Sequence, residues 1–157
     1  LLVGAAPAFA NASKLLAQDA KVLALANRGT GQLEQLSNKP VGKLVNTAGR
    51  QRMLSQRMAK YYFAMAWNVD ASTSEAELTK ARKEFLIALE VLRSAPQATT
   101  DIKQELTLAD AQWVFFDNAL KVRPRVGGTG ANEVFVTSEN LLQVMDKVTS
   151  LYARVER

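Results

Sequence analysis

The chain has 157 residues, of which 20 are Lys or Arg and 15 are Asp or Glu, so its formal net charge is +5. Its apolar fraction of 48% is ordinary for a globular domain, and the length suits one domain with its own core. The sequence contains no Cys and no His, which excludes disulfides, thiolate metal sites and every catalytic triad that uses histidine. We therefore expect no enzymatic activity, no metal and no cofactor.

The first segment, residues 1–10, is apolar and rich in small residues, and it ends in Ala8-Phe9-Ala10 before the polar Asn11. This pattern resembles the end of a secretory signal peptide with an A-x-A cleavage site. A truncated membrane anchor or an unstructured terminus is the alternative, because the segment is much shorter than the roughly 20 residues that a membrane-spanning helix needs. We predict a signal-peptide remnant over 1–10 and a mature protein in the periplasm.

Turn-forming residues predict where helices begin and end. Clusters of Gly, Pro, Ser and Thr divide the chain at residues 28–31, 38–42, 69–74, 95–100 and 122–130. Ser74 with Glu77 has the sequence of a capping box, and Thr100 before Asp101 marks another helix start. Each of these signals favours helices rather than strands.

The apolar residues after the third division recur at alternating steps of three and four, which predicts amphipathic helices packed in a bundle. The three predicted core stripes are Leu78, Ala81, Phe85, Ala88 and Leu92; then Ile102, Leu106, Ala109, Trp113, Phe116 and Leu120; then Leu141, Met145, Val148, Tyr152 and Val155. We predict an all-α fold, with an up-down four-helix bundle over residues 41–157 and a helical extension over residues 11–40.

The predicted helix over residues 41–68 carries the positive charge of the chain. No acidic residue lies between Glu34 and Asp70. The same stretch contains six cations, which are Lys39, Lys43, Arg50, Arg52, Arg57 and Lys60. The rest of the chain then has 20 − 6 = 14 cations against 15 acids. None of the arginines can pair with an acid three or four residues away. Either acids on other helices neutralise these cations, or the cations await an anion.

A helical projection separates three sides of this helix. One apolar arc is expected to face the core and contains Leu44, Leu54, Met58, Tyr62 and Met65. A second arc of mostly small or apolar residues contains Val45, Ala48, Gly49, Arg52, Gln56, Ala59 and Phe63. The third side is expected to be solvated and contains Asn46, Arg50, Arg57 and Lys60. Because Gly49 in mid-helix costs about 1 kcal/mol relative to Ala, we predict that another helix approaches closely there and that the second arc is an interface.

Arg52 on the second arc is costly to bury without a partner. If two copies meet along this arc about a two-fold axis, two Arg52 side chains converge, and an anion between them relieves their repulsion. A guanidinium is planar and offers parallel donors, which match a small planar oxyanion such as nitrate or nitrite. Gln56 and Asn46 could add neutral donors. From the spacing alone, a solvated or salt-bridged face remains the alternative.

Residues 46–57 read Asn-Thr-Ala-Gly-Arg-Gln-Arg-Met-Leu-Ser-Gln-Arg. This string resembles the signature of the type IV pilus methyl-accepting transducer N-terminal domain, the PilJ type, a family related to the sensor region of nitrate/nitrite histidine kinases. The resemblance implies an all-helical periplasmic domain for chemotaxis signalling, which forms a homodimer and binds a nitrate-type anion at the dimer interface. It places the key arginine at Arg52, with Arg50 as a second candidate, and carries over Asn46, Gly49 and Gln56. It also implies a membrane receptor or signalling partner, whether the chain is cut from a receptor or is a free-standing secreted member.

Two other classes of function stay open. The motif helix could dock a receptor or a pilus-associated partner without any ligand, and the second arc would then be a hetero-interface. The six cations could instead bind nucleic acid or anionic lipid, but they lie on several sides of the helix and have no interleaved aromatic residues for stacking. We therefore expect a small-anion sensor module and no nucleic-acid partner.

Overall fold

The computed structural model describes residues 8–37 and 39–155 and contains five helices and no strand within those ranges. The helices are α1 (Phe9–Ser37), α2 (Pro40–Ala66), α3 (Ala71–Ser94), α4 (Thr100–Lys121) and α5 (Thr129–Tyr152). The predicted all-α class is confirmed. Of the predicted signal-peptide remnant, residues 1–7 lie outside the described ranges, and α1 begins inside it at Phe9. None of the described helices is long and apolar enough to cross a membrane.

Helices α2 to α5 share one continuous apolar core. Helix α2 packs along both α3 and α5, and α4 packs along α5. The fully buried members of the predicted stripes are Phe85, Leu92, Ile102, Leu106, Ala109, Phe116, Leu141, Met145, Val148 and Tyr152. Burying one large apolar side chain stabilises a fold by roughly 1.5–3 kcal/mol relative to leaving it exposed, so these stripes hold the four helices together. Val155 lies beyond the end of α5 and is exposed, so the third stripe ends one step earlier than predicted.

Aromatic rings fill the space between α3 and α4. Phe85 stacks on Trp113 with ring centroids 4.8 Å apart, and Trp113 meets Phe116 edge-on at 6.2 Å. An ion pair between Arg93 and Asp110 also joins the two helices, at 2.5 Å.

The predicted helix start at Ser74 is wrong. Helix α3 begins at Ala71 with Asp70 as its N-cap residue, and Ser74 lies buried one turn inside the helix. Its hydroxyl donates to the Val69 carbonyl at 3.2 Å and so stabilises the turn that joins α2 to α3. Glu77, the expected second member of the capping box, instead pairs with an arginine of α2. The capping-box sequence is present, but Ser74 bonds to the preceding turn and Glu77 to another helix.

The predicted break at residues 28–31 does not interrupt α1. Gly29 and Gly31 stay helical, although each costs about 1 kcal/mol relative to Ala in a helix interior. The Thr30 hydroxyl donates to the Ala26 carbonyl at 3.1 Å, one turn back in the same helix. Polar contacts to α2 from Asp19 and Glu34, which lie before and after the glycines, support the helix there.

Two buried tyrosines differ in how their hydroxyls are used. The Tyr152 hydroxyl donates to the Leu92 carbonyl at 2.6 Å, and Leu92 is one of the last four residues of α3, whose carbonyls have no partner within the helix. The Tyr62 hydroxyl is buried without a hydrogen-bond partner among the described residues. Burial raises the pKa of both tyrosines, and the charge of Glu133 adds to the rise at Tyr62.

These contacts predict opposite effects for the same chemical change. Tyr152→Phe should lower the free energy of unfolding by about 1–3 kcal/mol, because the buried Leu92 carbonyl loses its donor. Tyr62→Phe should be neutral or stabilising, because it removes a buried hydroxyl that has no partner. Urea unfolding of the two variants beside the parent measures both values. Equal losses for the two variants would contradict the assignment.

Candidate functional site

Three helices surround the motif helix α2, and each contacts a different side of it. Helix α3 supplies Glu84 and Glu77 as ion-pair partners, and these two acids are seven residues apart. Helix α1 crosses the outer side and supplies Asp19 and Glu34. Helix α5 covers the remaining side of α2, and its Ser138 carbonyl accepts a hydrogen bond of 3.3 Å from Gln56 Nε2.

The prediction that the third side of α2 is solvated is wrong. Arg50 pairs with Glu84 and Arg57 with Glu77, so two cations seven residues apart meet two acids at the same spacing on α3. Lys60 pairs with Asp19 of α1. On the same outer side, Asn46 Nδ2 donates to Glu34 Oε2 at 2.5 Å. Acids on neighbouring helices therefore pair with these three cations, so this side of α2 is a salt-bridged face.

Arg52 is held more loosely than the other arginines of α2. Its Nε lies 3.1 Å from Asp146 Oδ1 on α5, and the two side chains are 43% and 56% exposed. The Nε–H is shielded from water but has no aligned hydrogen-bond acceptor, so the contact is an ion pair without a good hydrogen bond. Exposed pairs of this kind contribute about 0–1 kcal/mol. Another anion can therefore replace Asp146 at a small cost.

The second arc already packs against a helix of its own chain, which corrects part of the predicted interface. Ala48 and Ala59 are buried in the single chain. A Cβ added to Gly49 would lie 4.0 Å from Thr149 Cγ2 of α5, an ordinary contact distance. Packing within the chain therefore does not require glycine at this position. The part of the arc that stays open to solvent contains Val45, Gly49, Arg52, Gln56 and Phe63.

The structure brings three of the five predicted ligand residues to one side of α2. Gly49, Arg52 and Gln56 follow one another at steps of three and four and all face towards α5. Asn46 is turned towards α1. Arg50 lies on the opposite side of the helix against α3. One copy of the chain therefore offers one arginine at this surface.

Gln51, which is not among the predicted site residues, is fully buried in the core. Its Nε2 donates to the Phe85 carbonyl of α3 at 2.7 Å, and its Oε1 has no partner in the described part of the chain. Burial of this residue could have been predicted from the sequence, because the helical projection places residue 51 on the apolar arc between Leu44 and Met58. The motif thus contributes a polar contact to the α2–α3 packing as well as charged residues to the surface.

Residues 8–37 and 39–155 contain no cluster of three or more acidic side chains that could hold a metal ion.

Fold and site together define an all-helical module built around one basic helix. The family model described as the Type IV pili methyl-accepting chemotaxis transducer N-terminal domain, PilJ, matches residues 35–122, which is more than half of the chain. The chain therefore belongs to this family, which is a sensor-domain family and not an enzyme family.

The matched region covers α2, α3 and α4. Helix α5 lies outside it, yet it packs along both α2 and α4 and supplies part of the shared core. No curated protein and no solved structure matched the chain.

Proposed function

We propose that the chain is a periplasmic sensor module for chemotaxis signalling, which binds a small oxyanion, nitrate or nitrite, at an interface between two copies. Membership of the PilJ family supports the sensor role and a receptor or signalling partner. The observation that carries the anion site is the state of Arg52, whose guanidinium is half-exposed and paired with Asp146 without an aligned hydrogen bond. The shared core of α2 to α5 supports the proposed up-down four-helix arrangement.

Two copies that meet along the open part of the second arc bring Arg52 close to the partner's Arg52. The anion then replaces Asp146 and accepts parallel, charge-assisted hydrogen bonds from both guanidinium groups. Gln56 can add a neutral donor, because its 3.3 Å bond to the Ser138 carbonyl is long and easily exchanged. Arg50 and Asn46 would first have to leave Glu84 and Glu34, so we place the anion on Arg52 and Gln56, beside Gly49.

The test is a titration of the protein with sodium nitrate and sodium nitrite by isothermal calorimetry, with sodium chloride as the control. We expect saturable binding of one nitrate or nitrite for two chains, and a shift from monomer to dimer in sedimentation velocity when the anion is present. A protein that binds neither anion and sediments as a monomer with and without them would contradict the proposal.

Gly49→Ala is expected to separate folding from dimerisation. The free energy of unfolding of the single chain should stay unchanged or rise by up to about 1 kcal/mol, because Ala is the better helix former and the added Cβ has room. Nitrate-dependent dimerisation should weaken, because the methyl group keeps a second copy of α2 at a distance. Urea unfolding and sedimentation measure the two effects. Gly31→Ala on α1, where nothing lies within 4 Å, is the control, and equal dimerisation by both variants would argue against this surface.

The second candidate function is a ligand-free module that docks a receptor or a pilus-associated partner. The observation that favours it is that carboxylates of the same chain already neutralise the cations of the motif, with Arg50 and Arg57 held by α3 and Arg52 by α5. Such a module would not respond to nitrate in calorimetry or sedimentation. Charge reversal at Arg52 would then weaken binding of the protein partner without any anion present.

A further inference from the structure

The outer face of α1 carries a cluster of exposed large apolar side chains. On a helical projection five of its exposed large apolar side chains fall within an arc of about 80°, and the edge of this arc at Leu15 and Leu33 adjoins α2. They are Leu15, Val22, Leu25, Leu33 and Leu36, with exposed fractions between 54% and 82%. Gln18 and Gly29 interrupt this arc, and an exposed cluster of apolar side chains of this kind marks a place where a protein meets another apolar phase.

Positive charge runs along one edge of this arc, and no acid faces outwards. Lys14, Lys21 and Arg28 follow one another at intervals of seven residues, and none of them pairs with a carboxylate of the described chain. The two acids of α1, Asp19 and Glu34, both point at α2, where they contact a lysine and an asparagine. The outward surface of α1 is therefore apolar and cationic.

The apolar arc continues onto the end of α2. Leu15 lies beside Phe63 and Trp67, and together with neighbouring residues these side chains line one shallow cavity. Trp67 is 41% exposed and Phe63 is 36% exposed. Tryptophan is enriched at the interface between membrane and water, because its ring is apolar and its N–H remains hydrogen-bonded to the polar layer.

We propose that α1, together with Trp67, is a membrane-surface binding element that lies flat on a bilayer of anionic phospholipid. The apolar arc would enter the boundary between headgroups and acyl chains, and the cations at its edge would contact the lipid phosphates. Helix α1 lies on the bilayer rather than across it, because its inner side keeps polar contacts with α2 and its overall hydropathy is too low for a membrane-spanning helix.

Charge favours a bilayer over a second copy of α1 as the occupant of this face. In an antiparallel pair of α1 helices, Lys14, Lys21 and Arg28 would face the same three cations of the other copy. In a parallel pair, the three cations would need acidic partners on the other copy, but both acids of α1 already contact α2. An anionic lipid surface supplies negative charge along the whole edge.

The test is co-sedimentation of the full chain with vesicles of phosphatidylglycerol and, separately, of phosphatidylcholine. We expect binding to phosphatidylglycerol that weakens with salt, and little binding to phosphatidylcholine. Trp67 reports the contact directly, because its emission should shift to the blue while the buried Trp113 stays constant, and Trp67→Phe should remove the shift.

The variant V22E/L25E should lower vesicle binding about tenfold or more, since both side chains belong to the apolar arc.

The matched control is I87E/V91E, which changes two exposed apolar residues of α3 away from this face and should leave vesicle binding intact. The charge variant K14Q/K21Q/R28Q should lower binding about a hundredfold, because each cation lost near an anionic surface costs roughly fivefold. Equal binding of all variants, or no binding to phosphatidylglycerol, would overturn the proposal. A dimer in lipid-free solution that V22E/L25E dissociates would also overturn it, because the occupant would then be a second copy. The Arg52→Ala variant should bind vesicles like the parent, because vesicle binding does not use the anion site.

Discussion

Arg52→Ala is expected to weaken nitrate binding about tenfold or more. Each charge-assisted hydrogen bond to the anion is worth roughly 1.5–3 kcal/mol, and the variant removes those of one guanidinium in each copy. The free energy of unfolding should fall by less than about 1 kcal/mol, because the ion pair with Asp146 is exposed and poorly aligned. Calorimetry with sodium nitrate and urea unfolding give the two values on the same protein.

Arg57→Ala is the matched control for this prediction. Arg57 lies on the same helix and also pairs with an acid, Glu77, but on the side that faces α3. Its removal should leave nitrate affinity unchanged. If Arg57→Ala and Arg52→Ala reduce nitrate affinity equally, the positive charge of α2 as a whole would be responsible, and the assignment of the site to Arg52 would fail.

Asp146→Asn should act in the opposite direction. The substitution keeps the shape of the side chain and removes the charge that competes with the anion for Arg52. An exposed ion pair worth up to about 1 kcal/mol corresponds to a gain of up to about fivefold in nitrate affinity. An unchanged or reduced affinity would show that Arg52 does not exchange Asp146 for the anion.

Gly130→Ala is expected to destabilise the fold. A Cβ at this position would lie 2.5 Å from the Tyr62 hydroxyl and 2.8 Å from Val122 Cγ1. The tyrosine is fully buried, so the clash must move a side chain or the start of α5. Such overpacking costs about 1–3 kcal/mol. Urea or thermal unfolding measures it, with a fall of roughly 2–4 °C for each kcal/mol in a chain of this size.

A second substitution tests the cause of that loss. Adding Tyr62→Phe to Gly130→Ala removes the oxygen nearest to the new Cβ and should recover part of the stability. Adding Tyr152→Phe should instead increase the loss, because Tyr152 bonds to the end of α3, away from Gly130. No recovery with Tyr62→Phe would mean that the Val122 contact, or the backbone of the turn, dominates.

Apolar spacing was sufficient to predict the helices and most of the core. Phe85, Leu106 and Met145 were placed on core stripes from their sequence positions, and all three are fully buried. The prediction worked because a helix with one buried side needs apolar residues at steps of three and four, and that need is written in local sequence. Turn-forming residues also located the connections after α2, α3 and α4. They failed at residues 28–31, where contacts with α2 support α1 across its glycines.

The sequence by itself determined that the chain is all-helical, that one helix holds its excess positive charge, and that this helix carries the PilJ motif. Only the tertiary structure decided which acid meets which cation, because Glu84, Asp146 and Asp19 come from helices up to 94 residues away from their partners in the chain. It also decided that α5 covers part of the second arc, and that Arg50 meets α3 while Arg52 meets α5. A helical projection gives the direction of each side chain, whereas the neighbour that it meets depends on how all five helices pack.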